Sequence, residues 1–274
     1  MRHQSSIVLL LFWVFIVSNG VDAAFEPFPV GARTASMAGI VSVGGSCPET
    51  VFGNPALLGG AESAACVFDA SCLFGLSALG RTACAASVKF GGMGAGLGFQ
   101  TFGYTLYRET TAVLSIGFSR SSIGLGLSVR ALELTIARYG SARTGAIDAG
   151  MVLHISQRIC FGAVASNLLA ARIGDRRNSI PRVSRLGFSV AWPRDVLFCL
   201  EAVKDKDFPV DVRSGCEFHL NPIVIRVGVG RDPSVWTCGF GLNLGPIRLD
   251  YAMTDHPVLG ATHQASILLK LGER

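Results

Sequence analysis

Apolar and polar residues alternate with a period of two along most of this chain. The segment 210–220 reads Val-Asp-Val-Arg-Ser-Gly-Cys-Glu-Phe-His-Leu, with Asp211, Arg213 and Glu217 on one parity and the large apolar residues on the other. Successive side chains of a β-strand point to opposite faces of the sheet. The rhythm therefore predicts strands that have one apolar face and one small or polar face.

Fourteen segments carry this rhythm, and turn residues separate them. We predict strands at Glu62–Leu73, Thr82–Phe90, Met93–Thr101, Glu109–Phe118, Ile123–Glu133, Gly145–Ile155, Ile159–Leu169, Val183–Trp192, Leu197–Lys204, Val210–His219, Ile223–Gly230, Val235–Leu244, Ile247–Met253 and Gln264–Leu271. Short alternating segments in an even number are typical of bacterial membrane barrels. The pattern predicts an all-β fold, an antiparallel transmembrane β-barrel of about 14 strands.

The turns suggest how the two ends of this barrel differ. We expect short turns at 221–222, 232–234 and 245–246 to share one end, and the longer connections 172–182 and 254–262 to lie at the other. Short turns at one end and long loops at the other are typical of such barrels.

Composition supports strands rather than helices as the carriers of the apolar surface. Hydrophobic residues make up 50% of the 274 residues and charged residues 16%, whereas a soluble domain has roughly 25% charged residues. The mean hydropathy is +0.45. Beyond the N-terminus, no run reaches the length of about 18 apolar residues that a membrane-spanning helix needs.

The N-terminus divides into two segments. Arg2, the apolar run Ile7–Val17 and the small residues before Ala24 fit a cleaved secretory signal. We therefore expect a signal peptide at 1–23, a plug or hatch at 24–61 and the barrel at 62–274. The plug is rich in proline and glycine and shows no alternation. We expect one short helix in it, near Thr34–Met37.

Eight cysteines leave two interpretations open. Exported proteins often carry disulfides. Five of the eight, however, share parity with apolar neighbours: Cys66, Cys72, Cys84, Cys216 and Cys238. Cysteine packs as a small hydrophobe, and the pattern favours free thiols on the apolar face. Cys47 lies outside the strands.

Charged residues on the inward parity are the candidate lining of the lumen. They are Asp211, Arg213, Glu217, Arg226, Arg248 and Asp250. Opposite charges on neighbouring strands can pair and lower the cost of enclosure. The formal net charge of +5 is scattered, which does not indicate a nucleic-acid partner.

Catalytic patterns are missing. The glycine-rich run Gly91–Gly96 is not followed by a helical pattern, and the Gly-x-Ser-x-Gly motif does not occur. His256 and His263 lie seven residues apart without a third ligand. We expect no enzyme activity, no metal site and no cofactor.

Several motifs resemble one family of bacterial proteins. Val30–Arg33, Ala35–Gly39 and Asn54–Leu58, in this order, are similar to the opening of PorV/PorQ-type and FadL-like outer-membrane proteins. Ile180–Gly187 resembles a family segment in which a proline loop enters a strand, and Gly241–His263 resembles the final hairpin.

This resemblance implies a fourteen-stranded barrel with an N-terminal plug in the bacterial outer membrane, in contact with its lipid. Arg33 and the Asn54, Pro55 and Ala56 motif would help to hold the plug. FadL-type members pass hydrophobic molecules such as long-chain fatty acids, so transport of small hydrophobic compounds is the first expectation. PorV members bind C-terminal domains of exported proteins in type IX secretion, and partnership with such secretion-machinery proteins is the alternative. A structural barrel with a filled lumen is a third.

Overall fold

The computed structural model of this chain describes residues 24–61, 63–174, 178–193, 195–206 and 208–271. The predicted signal peptide at 1–23 lies outside the described residues.

Strands dominate this described part of the chain. They are β1 (Ala64–Cys72), β2 (Gly80–Phe90), β3 (Met93–Gly103), β4 (Tyr107–Arg120), β5 (Ile123–Ile136), β6 (Gly140–His154), β7 (Ile159–Ala165), β8 (Arg172–Ile173), β9 (Asn178–Ser179), β10 (Val183–Trp192), β11 (Val196–Asp205), β12 (Val210–Leu220), β13 (Ile223–Gly230), β14 (Val235–Leu244), β15 (Ile247–His256) and β16 (Gly260–Leu271). All but β8 and β9 close into one antiparallel barrel of fourteen strands, and those two form a separate ribbon. The predicted fold class and each of the fourteen predicted strands are confirmed.

The barrel closes through its first and last strands. β1 pairs with β16 from Ala64 opposite Leu271 to Cys72 opposite His263. β7 pairs directly with β10, so the β8–β9 ribbon belongs to the connection between them. Closure gives every barrel strand a hydrogen-bonded neighbour on both sides, as a sheet in hydrocarbon requires. The pairing of β6 with β7 is the shortest of these, since it covers only 149–154 of β6.

The two ends of the barrel differ in their connections. At the end where β1 begins and β16 finishes, here called the terminal end, the turns span two to four residues, such as 221–222 and 245–246. At the opposite, distal end the connections include 73–79, 166–182 and 206–209.

Two turn predictions are wrong. The turn 231–234 lies at the distal end, because β13 ends there. The predicted long connection 254–262 is a three-residue turn, since β15 continues to His256 and β16 begins at Gly260. Polar Asp255 fits this extension because the indole nitrogen of Trp236 donates to its carboxylate at 3.0 Å.

The outward face of the barrel is apolar and exposed. Leu97 on β3, Leu114 on β4 and Leu125 on β5 are each more than half exposed, and outward positions on the other strands continue the pattern. Soluble monomers rarely expose apolar patches beyond a few hundred Å². Within the described residues, no helix is both long and apolar enough to cross a membrane.

The N-terminal segment (residues 24–61) lies inside the barrel. It contains the helix α1 (Ala32–Ser36) and two 3-10 turns, Pro48–Phe52 and Pro55–Gly60. The helix begins two residues before the predicted position. Phe25 packs against Leu132 and Leu134 near the distal end. The Pro55–Gly60 turn lies against β3 to β6.

Inward glycines make room for this segment. A Cβ atom at Gly94 would lie 2.0 Å from the carbonyl oxygen of Leu58, and one at Gly150 would lie 2.0 Å from the side-chain oxygen of Asn54. These distances are far below van der Waals contact, so the wall must be bare backbone there.

Candidate functional site

A bidentate ion pair joins the N-terminal segment to the barrel wall. Arg33 of α1 donates from Nε to Oε2 of Glu217 at 2.9 Å and from Nη2 to Oε1 at 3.0 Å. Arg226 donates to the same carboxylate at 2.5 Å, and Nε2 of His219 lies 2.9 Å from Oε1. Glu217 on β12 therefore holds an arginine of the wall and an arginine of the segment together.

The network continues around the wall. Arg226 donates from Nη1 to Asp250 at 2.7 Å, and Arg248 donates from Nε to Asp250 at 2.7 Å. Arg248 also donates from Nη2 to Glu49 of the N-terminal segment at 3.5 Å. Three arginines thus balance three carboxylates at this interface, and the segment supplies one of each.

Burial makes this network energetically demanding. The side chains of Arg226, Glu217 and Asp250 are at most 2% exposed. Removing charges from water costs several kcal/mol per ion unless geometry and hydrogen bonds compensate. Here every one of these charges faces an opposite charge at hydrogen-bond distance, so the loss of one partner would leave another buried and uncompensated.

The six predicted lumen-lining residues fall into two groups. Glu217, Arg226, Arg248 and Asp250 belong to the network described above. Arg213 instead pairs with Asp211 at 2.6 Å towards the distal end. Asp211 also accepts from the backbone nitrogens of Arg231 and Asp232. The structure therefore brings four of the six together.

The predicted Asn54, Pro55 and Ala56 motif begins a 3-10 turn in the buried interior. The amide nitrogen of Asn54 donates to the carbonyl oxygens of Ser42 at 2.8 Å and Met151 at 3.2 Å. Its side-chain oxygen accepts from the backbone nitrogen of Ala56 at 3.1 Å, and Pro55 occupies the first position of the turn. Asn54 thereby caps a turn and ties it to β6, as asparagine often does at such positions.

Sequence reasoning missed a second anchor, Glu201. This fully buried carboxylate accepts from the backbone nitrogens of Val41 at 3.1 Å and Ser42 at 2.8 Å, and from Arg185 at 3.1 Å. A sequence signal existed, because Arg185 and Glu201 both fall on the inward parity of adjacent predicted strands. Their partners on the segment had no periodicity that would reveal them.

A third anchor, also missed, is Arg81. It is 2% exposed and donates to the carbonyl oxygen of Pro29 at 2.6 Å. Its guanidinium lies 3.8 Å from Asp69 and 5.9 Å from the ring centre of Phe28. The segment is thus attached to the wall near both of its ends and at its middle.

Cys47 lies between two guanidinium groups. Its sulfur is 3.9 Å from Nη1 of Arg33 and 4.0 Å from Nη1 of Arg248. Burial raises the pKa of the Cys47 thiol, Glu49 adds to this, and the two arginines offset only part of it. All eight cysteines are described, and all are free thiols. Cys47 is therefore a protonated, weakly nucleophilic thiol at neutral pH.

A cavity of about 550 Å³ lies at the terminal end. Arg33, Cys47 and Leu57 of the N-terminal segment form part of its lining, together with inward residues at the terminal ends of the strands. Smaller cavities of about 30 and 80 Å³ lie deeper, between the segment and the wall. No cluster of three or more potential metal ligands occurs in the described part of the chain.

The fold is similar to solved hydrocarbon channels. The CymD monoaromatic hydrocarbon channel aligns with a TM-score of 0.67 at 12% identity, covering 91% of this chain and 100% of that one. The toluene transporter TbuX of Ralstonia pickettii gives 0.66 at 12% identity over 90% and 100%. A FadL homologue of Pseudomonas aeruginosa gives 0.63 at 11% identity over 89% and 98%.

Two sequence comparisons found nothing: no family model and no curated protein matches this chain. Identities near 12% indicate a common fold. This chain thus has a FadL-like barrel fold, while its resemblance to the PorV/PorQ type stays a prediction.

Proposed function

We propose that this chain is a bacterial outer-membrane channel for small hydrophobic compounds, and that the N-terminal segment is its plug. The observation that carries the proposal is a closed barrel with an apolar exterior and an interior occupied by a segment held through polar contacts. Barrels of this architecture reside in outer membranes. The structural neighbours are named as channels or transporters of toluene and other monoaromatic hydrocarbons.

Entry would begin at the distal end. Phe25, Leu132, Leu134, Ile173 and Ile180 form a buried apolar cluster where the N-terminal segment meets the wall and the 166–182 connection. An apolar solute gains free energy by leaving water for such a surface. Because these side chains are at most 8% exposed, this cluster would become the first apolar contact for the transported compound once the plug has shifted.

Passage requires the plug to shift. The plug is tied to the wall by ion pairs and hydrogen bonds at Arg33, Ser42 and Pro29, and its apolar contacts fall into several small clusters. Water that enters as the plug moves can form hydrogen bonds to the separated polar groups and so lower the free-energy cost of breaking the polar contacts. Moving a plug held by one large apolar core would instead expose that whole core to water. The proposed motion therefore exchanges these polar anchors for water.

A disulfide lock tests this motion. The backbone nitrogen of Ala32 donates to the hydroxyl of Ser266 at 3.1 Å, so the double variant Ala32→Cys, Ser266→Cys places two thiols across the interface between plug and wall. In proteoliposomes, entry of radiolabelled toluene and of a long-chain fatty acid would be measured before and after oxidation. We expect transport by the wild type and the reduced variant, and loss of transport on oxidation.

The single variants provide the matched control, because each adds one thiol without a partner. Mass spectrometry would confirm the link between positions 32 and 266. Undiminished transport by the fully oxidised protein would contradict plug movement at this interface. A wild-type barrel that folds but passes neither compound would contradict the channel itself.

A second candidate, a docking partner in protein secretion, is favoured by the distal loops. Large apolar side chains are exposed at the loop tips: Leu76, Leu106, Tyr139, Leu169, Phe208 and Val258. Exposed groups of apolar side chains of this kind are typical of protein-binding surfaces. Replacing all six with serine would abolish binding of an exported C-terminal domain if this candidate holds, and would leave uptake of hydrophobic compounds intact.

A further inference from the structure

We propose that the cavity at the terminal end is a binding site for a small organic oxyanion, such as an aromatic carboxylate. This site differs in position and chemistry from the apolar entry cluster, and the inference does not rest on the proposed transport function. The cavity volume of about 550 Å³ exceeds what such a compound occupies, and lies within the usual range of ligand pockets.

Among the described residues, the charged groups of the cavity wall are unequal in number. Arg33, Arg226, Arg248 and Lys270 line it, together with one carboxylate, Glu217. Asp250 and Glu49, which pair with the arginines, are not among these lining residues. The described part of the wall that faces the cavity is therefore richer in cations than the balanced network behind it.

Exposure strengthens this asymmetry. The side chains of Arg33 and Arg248 are 16% and 17% exposed, while those of Glu217, Asp250 and Glu49 are 2%, 1% and 4% exposed. The side chains of Arg33 and Arg248 are therefore more accessible from the cavity than the three carboxylates, of which Glu217 alone is among the lining residues. An incoming anion would meet N–H donors first, and such charge-assisted hydrogen bonds are stronger than neutral ones.

The described cationic groups of the barrel wall that line the cavity lie on one side of the barrel. In the closed sheet, β12 to β16 are consecutive neighbours, and they carry Arg226, Arg248 and Lys270 as well as the carboxylate of Glu217. The described residues of the arc from β4 to β11 contribute mainly small or apolar side chains, including Val152, Leu197 and Ser189, together with His154 and Cys160.

The cavity has a basic side and an apolar side, so it suits a ligand that carries both an anionic group and an apolar group. The basic arc suits a carboxylate or phosphate oxygen, and the arc around Val152 and Leu197 suits an apolar ring. Serine hydroxyls from several strands add donors around the rim. A neutral hydrocarbon would form no charge-assisted hydrogen bond to the exposed parts of these arginines, so charge and apolar area together define the expected ligand.

Isothermal titration of the purified full-length chain in detergent tests the inference. The probes are benzoate, its neutral analogue benzamide and inorganic phosphate. We expect benzoate to bind at least tenfold more tightly than benzamide, and its affinity to fall as salt rises, because screening weakens charge interactions. We expect phosphate to bind more weakly than benzoate, because it makes no apolar contact, and phosphate binding as tight as that of benzoate would overturn the proposed selection for an organic oxyanion.

Two lysine variants separate the cavity from general charge effects. Lys270→Gln removes a lining cation at the end of β16 and should weaken benzoate binding about tenfold. Lys89→Gln removes an inward lysine at the same end of β2 that does not line the cavity, and should leave binding unchanged. Equal binding of benzoate and benzamide, no binding of either, or equal effects of both variants would overturn the inference.

Discussion

At the scale of single residues, the interior of this barrel is organised by buried charges. Glu217, Glu201 and Arg226 are among the largest fully buried side chains. Each forms hydrogen bonds to opposite charges or to backbone nitrogens of the N-terminal segment. Such groups define the resting position of the segment, because a shift of the segment separates a buried charge from its partner unless water replaces that partner.

Arg226→Met tests the buried network. The change leaves Glu217 and Asp250 without their shared cation, and we expect a loss of about 3–5 kcal/mol in the free energy of unfolding. Urea unfolding of the barrel in detergent micelles would measure it. Arg143→Met is the matched control, because its salt bridge with Glu133 is on the outer surface with Arg143 77% exposed. That variant should lose less than about 1 kcal/mol. Equal losses would show that burial does not decide the contribution.

Cys47 provides a pH-dependent test of the interior. Its raised pKa means that the folded chain keeps a proton which the unfolded chain releases at about pH 8.5. The contribution of this thiol to stability is therefore constant below that pH and falls as the pH rises towards the folded pKa.

Maleimide labelling measures the same shift. We expect modification of the peptide containing Cys47, followed by mass spectrometry, to speed up at a higher pH in the folded chain than in the urea-unfolded chain. Coincident pH profiles would contradict the raised pKa. Cys66, on the outward parity of β1, provides a comparison thiol that does not lie beside Arg33 and Arg248.

At the scale of secondary structure elements, two kinds of segment follow different rules. The strands repeat every second residue because one face meets apolar surroundings and the other meets the interior. The N-terminal segment has no repeat, since it contacts the wall on all sides through turns and a five-residue helix. Inward glycines on β3 to β6 are the places where the two kinds of segment touch.

Gly94→Ala tests this close contact. The added Cβ would lie 2.0 Å from the carbonyl oxygen of Leu58, so backbone must move, and we expect a loss of about 1–3 kcal/mol in urea unfolding. Gly145→Ala on β6 is the control, because its Cβ would have an ordinary contact at 3.6 Å. Alanine there should be neutral or slightly stabilising. An unaffected Gly94→Ala variant would show that the segment is not packed against β3.

At the scale of the whole molecule, closure and the apolar exterior belong together. A closed sheet satisfies its backbone hydrogen bonds internally, which a bilayer requires. At the proposed membrane location, the exposed apolar side chains on the outer surface would contact acyl chains rather than water. Both features favour the proposed location in the outer membrane.

A charge on this exterior tests the location. Leu114→Arg places a cation at the middle of β4, and folding into phospholipid vesicles should become less favourable by about 2–4 kcal/mol. Tyr139→Arg adds the same charge at a distal turn where the side chain is 88% exposed, and should cost at most about 1 kcal/mol. Equal effects, or efficient folding without any lipid or detergent, would contradict a membrane barrel.

The sequence by itself determined the strands, their number and the direction of their side chains, because alternation records at each position which of two environments a side chain meets. It also placed Glu217 and Arg226 on the same face, and their pairing follows from the direct register of β12 with β13. The error at 232–234 comes from judging a turn by its length alone, because consecutive turns of an antiparallel barrel lie at alternate ends.

Only the tertiary structure decided which residues of the N-terminal segment contact which residues of the barrel wall. Arg33, Cys47 and Glu49 come from a segment without periodicity, and they reach Glu217 and Arg248 across some two hundred positions of the chain. Nothing local constrains such contacts. They depend on how an irregular segment threads a closed barrel, where the available space is set by glycines and the available partners by buried charges on many strands at once.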